Sequence, residues 1–189
     1  MIKRVAIGFV LALSALHSAA LADGLPGKIK TRTSKYDQAV ELSMEPAWVG
    51  SMSPLKMGLF WRSSMPENDL LLTVVVKGAH SFGDGEPLHF KVDGEFHHFS
   101  AVDVVTDIKA TEGFYAPGFP VISGSNWSSK RFVVTREFVD SILKAKSVVV
   151  RVDLATEYVE AVFSKDGPTT ARPAFRKFVA KLTGEKSKQ

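Results

Sequence analysis

Four of the five histidines crowd into one stretch: His80, His89, His97 and His98. Imidazoles at that density are candidate ligands for a divalent metal. Two of them on facing strands stand about 4.5–5.5 Å apart at Cβ and can share one ion. His80, His89 and His97 are the candidate metal residues, and Asp84 or Glu86 could add carboxylate oxygens. A structural zinc site asks for four ligands and a catalytic one usually for three. The spacing is neither H-E-x-x-H nor that of another metal motif. The simpler reading therefore leads: the histidines fill surface positions of a half-exposed hairpin, no cofactor is required, and a metal is the alternative.

A second constellation is aromatic. Between Gly113 and Arg131 the chain carries Phe114, Tyr115, Phe119 and Trp127 among several glycines, prolines and serines. A long connection of this kind either folds back to seal one end of a sheet or presents aromatic faces to a ligand. Those four residues are the candidate ligand-binding set. Catalytic signatures are thinner. With no cysteine there is no thiol nucleophile, and no G-x-S-x-G elbow, P-loop or dinucleotide fingerprint occurs. Ser53-Pro54-Leu55-Lys56 and Ser141-Ile142-Leu143-Lys144 fit S-x-x-K, but the companion S-D-N and K-T-G elements are missing. No catalytic residue is assigned.

These groups must be positioned by strands. Ala39–Met44 alternates, with Val40, Leu42 and Met44 on one side and Glu41 and Ser43 on the other, which predicts a half-buried strand. Met57–Arg62 predicts a second. Leu70–Val76 is apolar or β-branched throughout, as a central strand covered on both faces should be. Leu88–Phe99 predicts a hairpin turning at Asp93-Gly94, with two registers in competition. A two-residue loop pairs Phe90 with His97, whereas a three-residue loop pairs Lys91 with Glu95, Phe90 with Phe96 and His89 with His97. The second register is favoured for its ion pair and aromatic pair.

The last third predicts strand, helix, strand, strand, helix. Arg131–Val134 is a short strand, and Thr135 caps a helix whose buried stripe is Phe138, Val139, Ile142 and Leu143. Ser147–Asp153 and Glu157–Phe163 are strands. Thr169 or Thr170 caps a final helix that buries Phe175, Phe178, Val179 and Leu182 and stops at Gly184. The expected fold is one α+β domain over residues 23–189, mainly antiparallel and sandwich-like, with two C-terminal helices and a loose lead-in over residues 23–35.

Residues 1–22 predict an export signal. Lys3 and Arg4 precede an apolar run over Val5–Leu16, and Ala20-Leu21-Ala22 supplies the A-x-A ending. The run is shorter than the roughly 20 residues a spanning helix needs, so after cleavage the chain is not expected to be an integral membrane protein. The formal charge of the whole chain is +4. Lys3 and Arg4 leave with the signal, lowering Lys+Arg from 24 to 22 against 20 Asp+Glu, and that balance argues against nucleic acid as a partner.

The run Phe138-Val139-…-Ile142-Leu143-…-Ala145-Lys146-Ser147-Val148-Val149-Val150-Arg151-Val152 resembles a segment of exported bacterial proteins. So do Ala161-Val162-Phe163-Ser164 and Ala171-…-Ala174-Phe175-…-Phe178. The similarity is to invasion-associated locus B proteins and accessory proteins of type VI secretion, in which a helix leads into a Val/Arg-rich strand and a closing helix packs on a β-sandwich. It implies a β-rich exported domain and no enzymatic activity. The expected function is therefore a periplasmic or secreted binding protein whose partner is an envelope protein or small ligand. A small metalloprotein using the His80–His98 cluster is the alternative. Intact-mass measurement of protein recovered from envelope or medium should give a chain beginning at Asp23; a mass retaining residues 1–22 would mean an uncleaved anchor.

Overall fold

The structure, a computed structural model, describes residues 26–50, 53–110, 125–163, 167 and 169–184. Among these, β1 (Ile29–Thr33), β2 (Val40–Met44), β3 (Ala47–Trp48), β4 (Leu55–Arg62), β5 (Asp69–Lys77), β8 (Asp107–Ala110) and β9 (Asn126–Thr135) form one antiparallel sheet. Its order is β1-β2-β4-β5-β9-β8, with β3 added beside β4. A second antiparallel sheet has the order β11-β10-β6-β7, from β6 (Leu88–Val92), β7 (Glu95–Phe99), β10 (Val148–Asp153) and β11 (Tyr158–Val162). Helices α1 (Arg136–Lys144) and α2 (Ala171–Leu182) complete the α+β, sandwich-like domain.

One apolar cluster joins both sheets and both helices. Leu42, Leu59, Leu72 and Phe132 of the first sheet meet Leu88, Phe90, Val150 and Val152 of the second, closed by Phe138, Ile142, Phe175 and Phe178. Strand β5 lies between β4 and β9, and of its nine residues those from Leu70 to Val76, all but Thr73, are buried. Its apolar run thus does what a two-sided central strand requires.

Both helices follow their sequence signals, with one exception. Thr135 Oγ1 accepts from Phe138 N at 3.2 Å, the expected cap. Thr170 occupies the N-cap of α2 without capping, because its hydroxyl donates instead to Gly167 O at 2.8 Å. Gly184, at φ 72°, takes the left-handed position after α2. Arg172 spans the two helices: its Nη2 donates to Leu143 O and Ala145 O, each at 3.0 Å. Carbonyls at the end of α1 that lack helical partners are satisfied this way.

Four expectations are corrected. Residues 29–33, expected in the loose lead-in, form edge strand β1 against β2. The strand expected at Arg131–Val134 begins at Asn126 and runs ten residues, so the end of the supposed aromatic loop is strand. Two short strands, β3 and β8, were not foreseen. The hairpin takes the two-residue loop: Phe90 faces His97 and His89 faces His98, with Asp93 at φ 47° and Gly94 at φ 104°.

Two forces settle that register. Left-handed Asp-Gly gives the turn whose twist matches the flanking strands. A slip by one residue would also exchange the faces of β7. The observed register turns Phe99 inward onto Phe90 and Phe138, at ring separations of 5.9 and 4.7 Å, and leaves Phe96 65% exposed. The slip would put Phe96 on the inner face in place of Phe99, one phenylalanine for another, so the turn geometry and the contact of Phe99 with Phe138 outweigh the Lys91–Glu95 and Phe90–Phe96 pairs, about 0.2–1 kcal/mol each. Asp93 also ties the turn down, because its carboxylate accepts from Ser147 N at 2.8 Å and Lys146 N at 3.2 Å.

Phe178 is fully buried. Phe178→Ala should destabilise the domain by about 3–5 kcal/mol, measured by denaturant unfolding; an unchanged midpoint would mean that α2 does not pack as described.

Candidate functional site

The outer face of the four-stranded sheet gathers the histidine chemistry. Strand alternation places Glu160, Arg151, His89 and His98 in one row across all four strands. Tyr158 pairs with Asp153 beside that row, and Lys91 pairs with Phe96 on its other flank. Asp153 is the hub. Its Oδ1 accepts from Arg151 Nε at 2.7 Å and its Oδ2 from His89 Nε2 at 2.9 Å. The other His89 nitrogen, Nδ1, lies 2.5 Å from His98 Nδ1. The Arg151 guanidinium covers the Tyr158 ring at 4.1 Å, and Phe96 lies parallel to the His98 ring.

A carboxylate only accepts, so Asp153 places a proton on His89 Nε2. That leaves the Nδ1 lone pair of neutral His89 free to accept from His98. Burial works against the Asp153 charge, but hydrogen bonds from Arg151 and His89 prevail and hold its pKa below the ordinary 3.8. The hydrogen bond that Arg151 donates to Asp153 correspondingly raises the arginine's own pKa.

The candidate metal residues do not converge. His80 Nδ1 faces Glu157 Oε1 at 3.4 Å, and His97 turns inward against Phe138 at 5.2 Å. His89 meets His98 rather than His97, its partner in the expected register. Among the described residues, no group of three or more histidine, aspartate or glutamate side chains is arranged to hold a metal ion.

A second site lies on the outer face of the seven-stranded sheet. Phe114, Tyr115 and Phe119 fall outside the described residues, but Trp127 is placed. It stands on β9 between Lys77 and Lys109, its register partners on β5 and β8. The adjacent row runs Trp48, Lys56, Val75, Ser129, Asp107. Lys56 Nζ sits between two indoles, 4.2 Å from the Trp48 ring centre and 4.1 Å from that of Trp127. The indoles are 5.8 Å apart, inclined at 59°.

Burial lowers the pKa of Lys56, and its ammonium has no hydrogen bond or ion pair among the described residues. Cation–π attraction, about 0.5–2 kcal/mol per face, offsets part of the desolvation. Sequence reasoning found Trp127 but missed Trp48, and noticed Lys56 only in S-x-x-K. Ser53 of that motif instead accepts from Leu55 N at 3.0 Å, and Ser141 Oγ donates to Phe138 O at 2.7 Å within α1.

Fold and sites together define a two-sheet α+β domain with one histidine-bearing and one tryptophan-bearing face. No family model, curated protein or solved structure matches this chain.

The Asp153 shift has a definite sign. A carboxylate depressed on folding contributes stability above its unfolded pKa and loses that contribution as pH falls through the folded value. Asp153→Asn should therefore cost stability at neutral pH, and that cost should shrink as pH falls below 3.8 through the folded value. Thermal melts of both proteins across that range check it; parallel curves would show that Asp153 contributes no folding energy through its charge.

Proposed function

We propose that this chain is an exported bacterial protein that binds an anionic envelope glycan through the outer face of the seven-stranded sheet, without catalysing a reaction. The observation that carries this reading is Lys56: a half-buried ammonium flanked by two indoles and without a counter-charge among the described residues. Indole faces stack on sugar rings. An ammonium already stripped of part of its water gains more from a ligand carboxylate or phosphate than one in bulk solvent. Lys77 and Lys109 beside Trp127 bias the same face toward anions, though Asp107, 3.4 Å from Lys109, offsets one of them. The A-x-A-terminated N-terminal segment and the resemblance of the last third to exported bacterial modules support the envelope as the setting.

Co-sedimentation with purified peptidoglycan sacculi, whose peptides carry carboxylates, tests the reading. Salt-sensitive binding is expected. Lys56→Met should weaken it about tenfold, since a hydrogen bond to a charged group contributes about 1.5–3 kcal/mol, and Trp127→Ala should weaken it as well. No binding, or binding that both variants retain in full, would refute this assignment.

A further inference from the structure

We propose that His89 and His98 form a two-imidazole site for copper(II) on the outer face of the four-stranded sheet, with Asp153 as the positioning residue. The argument starts from the proton on His89. Asp153 draws it to Nε2 through the 2.9 Å hydrogen bond, which directs the Nδ1 lone pair at His98. A metal-bound histidine characteristically donates its other N–H to a carboxylate in this way, and the partner fixes tautomer and ring angle. The carboxylate is itself braced by Arg151 at 2.7 Å. One ligand of the pair is thus oriented before any ion arrives.

The distance between the two donors selects the metal. His89 Nδ1 and His98 Nδ1 stand 2.5 Å apart. Metal–nitrogen bonds of about 2.0–2.1 Å put two nitrogens roughly 2.9 Å apart at a right angle and roughly 3.4 Å apart at a tetrahedral angle. The right-angled arrangement needs the smaller movement. It belongs to the tetragonal geometry of copper(II) and nickel(II) rather than to tetrahedral zinc, and copper binds most tightly in the divalent series. His98 is exposed on the edge strand β7, so its ring has room to withdraw by that amount. The remaining coordination positions open to solvent and are filled by water.

The proton inventory closes without a co-reactant. In the metal-free pair the single proton between the Nδ1 atoms belongs to His98. Binding requires both Nδ1 lone pairs, so that proton leaves Nδ1 and the solvent-facing Nε2 takes one up. The charges facing the site are Asp153 and Arg151 on β10, Glu160 on β11 and Lys91 on β6, and the two carboxylates balance the two cations.

The test uses the protein purified without a histidine tag, titrated with copper(II) alone and followed by calorimetry and electron paramagnetic resonance. One copper per chain is expected, with an axial spectrum split by two nitrogens. His98→Ala should abolish both the binding and the splitting. His98→Asn serves as a second variant should the alanine protein melt early. Asp153→Ala should weaken binding about tenfold or more, the usual cost of losing a carboxylate behind a ligand histidine. His80→Ala should bind as the parent does. Failure of the tag-free protein to bind copper, a spectrum without the two-nitrogen splitting, or binding that survives loss of His98 would each overturn the proposal. Unchanged affinity in Asp153→Ala would remove the positioning role.

Discussion

Everything in the larger sheet answers to β5. Leu70, Leu72, Val74 and Val76 face the shared core, while Leu71 and Val75 are buried on the opposite side. Among the described residues, only one of those faces has a second sheet to cover it. On the other, side chains of the sheet itself shield the strand, and the register shows which stand nearest. Lys56 and Ser129 flank Val75, with Trp48 beyond Lys56, while Phe60 and Val133 flank Leu71. Aromatic rings and the aliphatic stem of a lysine suit that task, since they cover apolar surface while keeping a polar tip available to water. The tryptophan–lysine arrangement is therefore at once the cover of a central strand and a chemically distinct surface.

The smaller sheet solves a different problem. Its inner face is apolar and continuous with the core through Leu88, Phe90, Val148, Val150 and Val152. Its outer face is held by charge and hydrogen bonding, with Asp153 accepting from two strands at once. Desolvation of that carboxylate is tolerable because both oxygens have donors. The same arrangement aligns the His89 ring across the strands. Packing accounts for the inner face of this sheet; electrostatics orders the outer one.

What could be read from the sequence was whatever a local pattern encodes. The unbroken apolar run of Leu70–Val76 announced a central strand, and the Phe138–Val139–Ile142 stripe behind Thr135 announced α1. The two residues of β3 and the four of β8 are too short to show a period. The hairpin was visible, but its register depended on Phe138 and on Ser147, tens of residues away, so counting cross-strand pairs within the hairpin favoured the wrong loop. Trp48, Lys56 and Trp127 belong to three strands, and Asp153 reaches His89 across a gap of 64 residues. No spacing rule connects such partners; only the sheet order does.

That order also bears on how quickly the molecule can be made. Strand β9 completes the pairing of β5, and β10 completes that of β6, so both sheets wait for residues 126–153. Asp93 finds Ser147 only after a separation of 54 residues. Folding dominated by such distant pairings is slow, because the entropy of closing long loops is lost before the contacts that compensate it have formed. A chain emerging from its N-terminus therefore presents two unpaired β edges, on β5 and β6, for as long as its final third is missing. Those edges are the surfaces that a holding chaperone would have to mask, and on which nascent copies would first stick to one another.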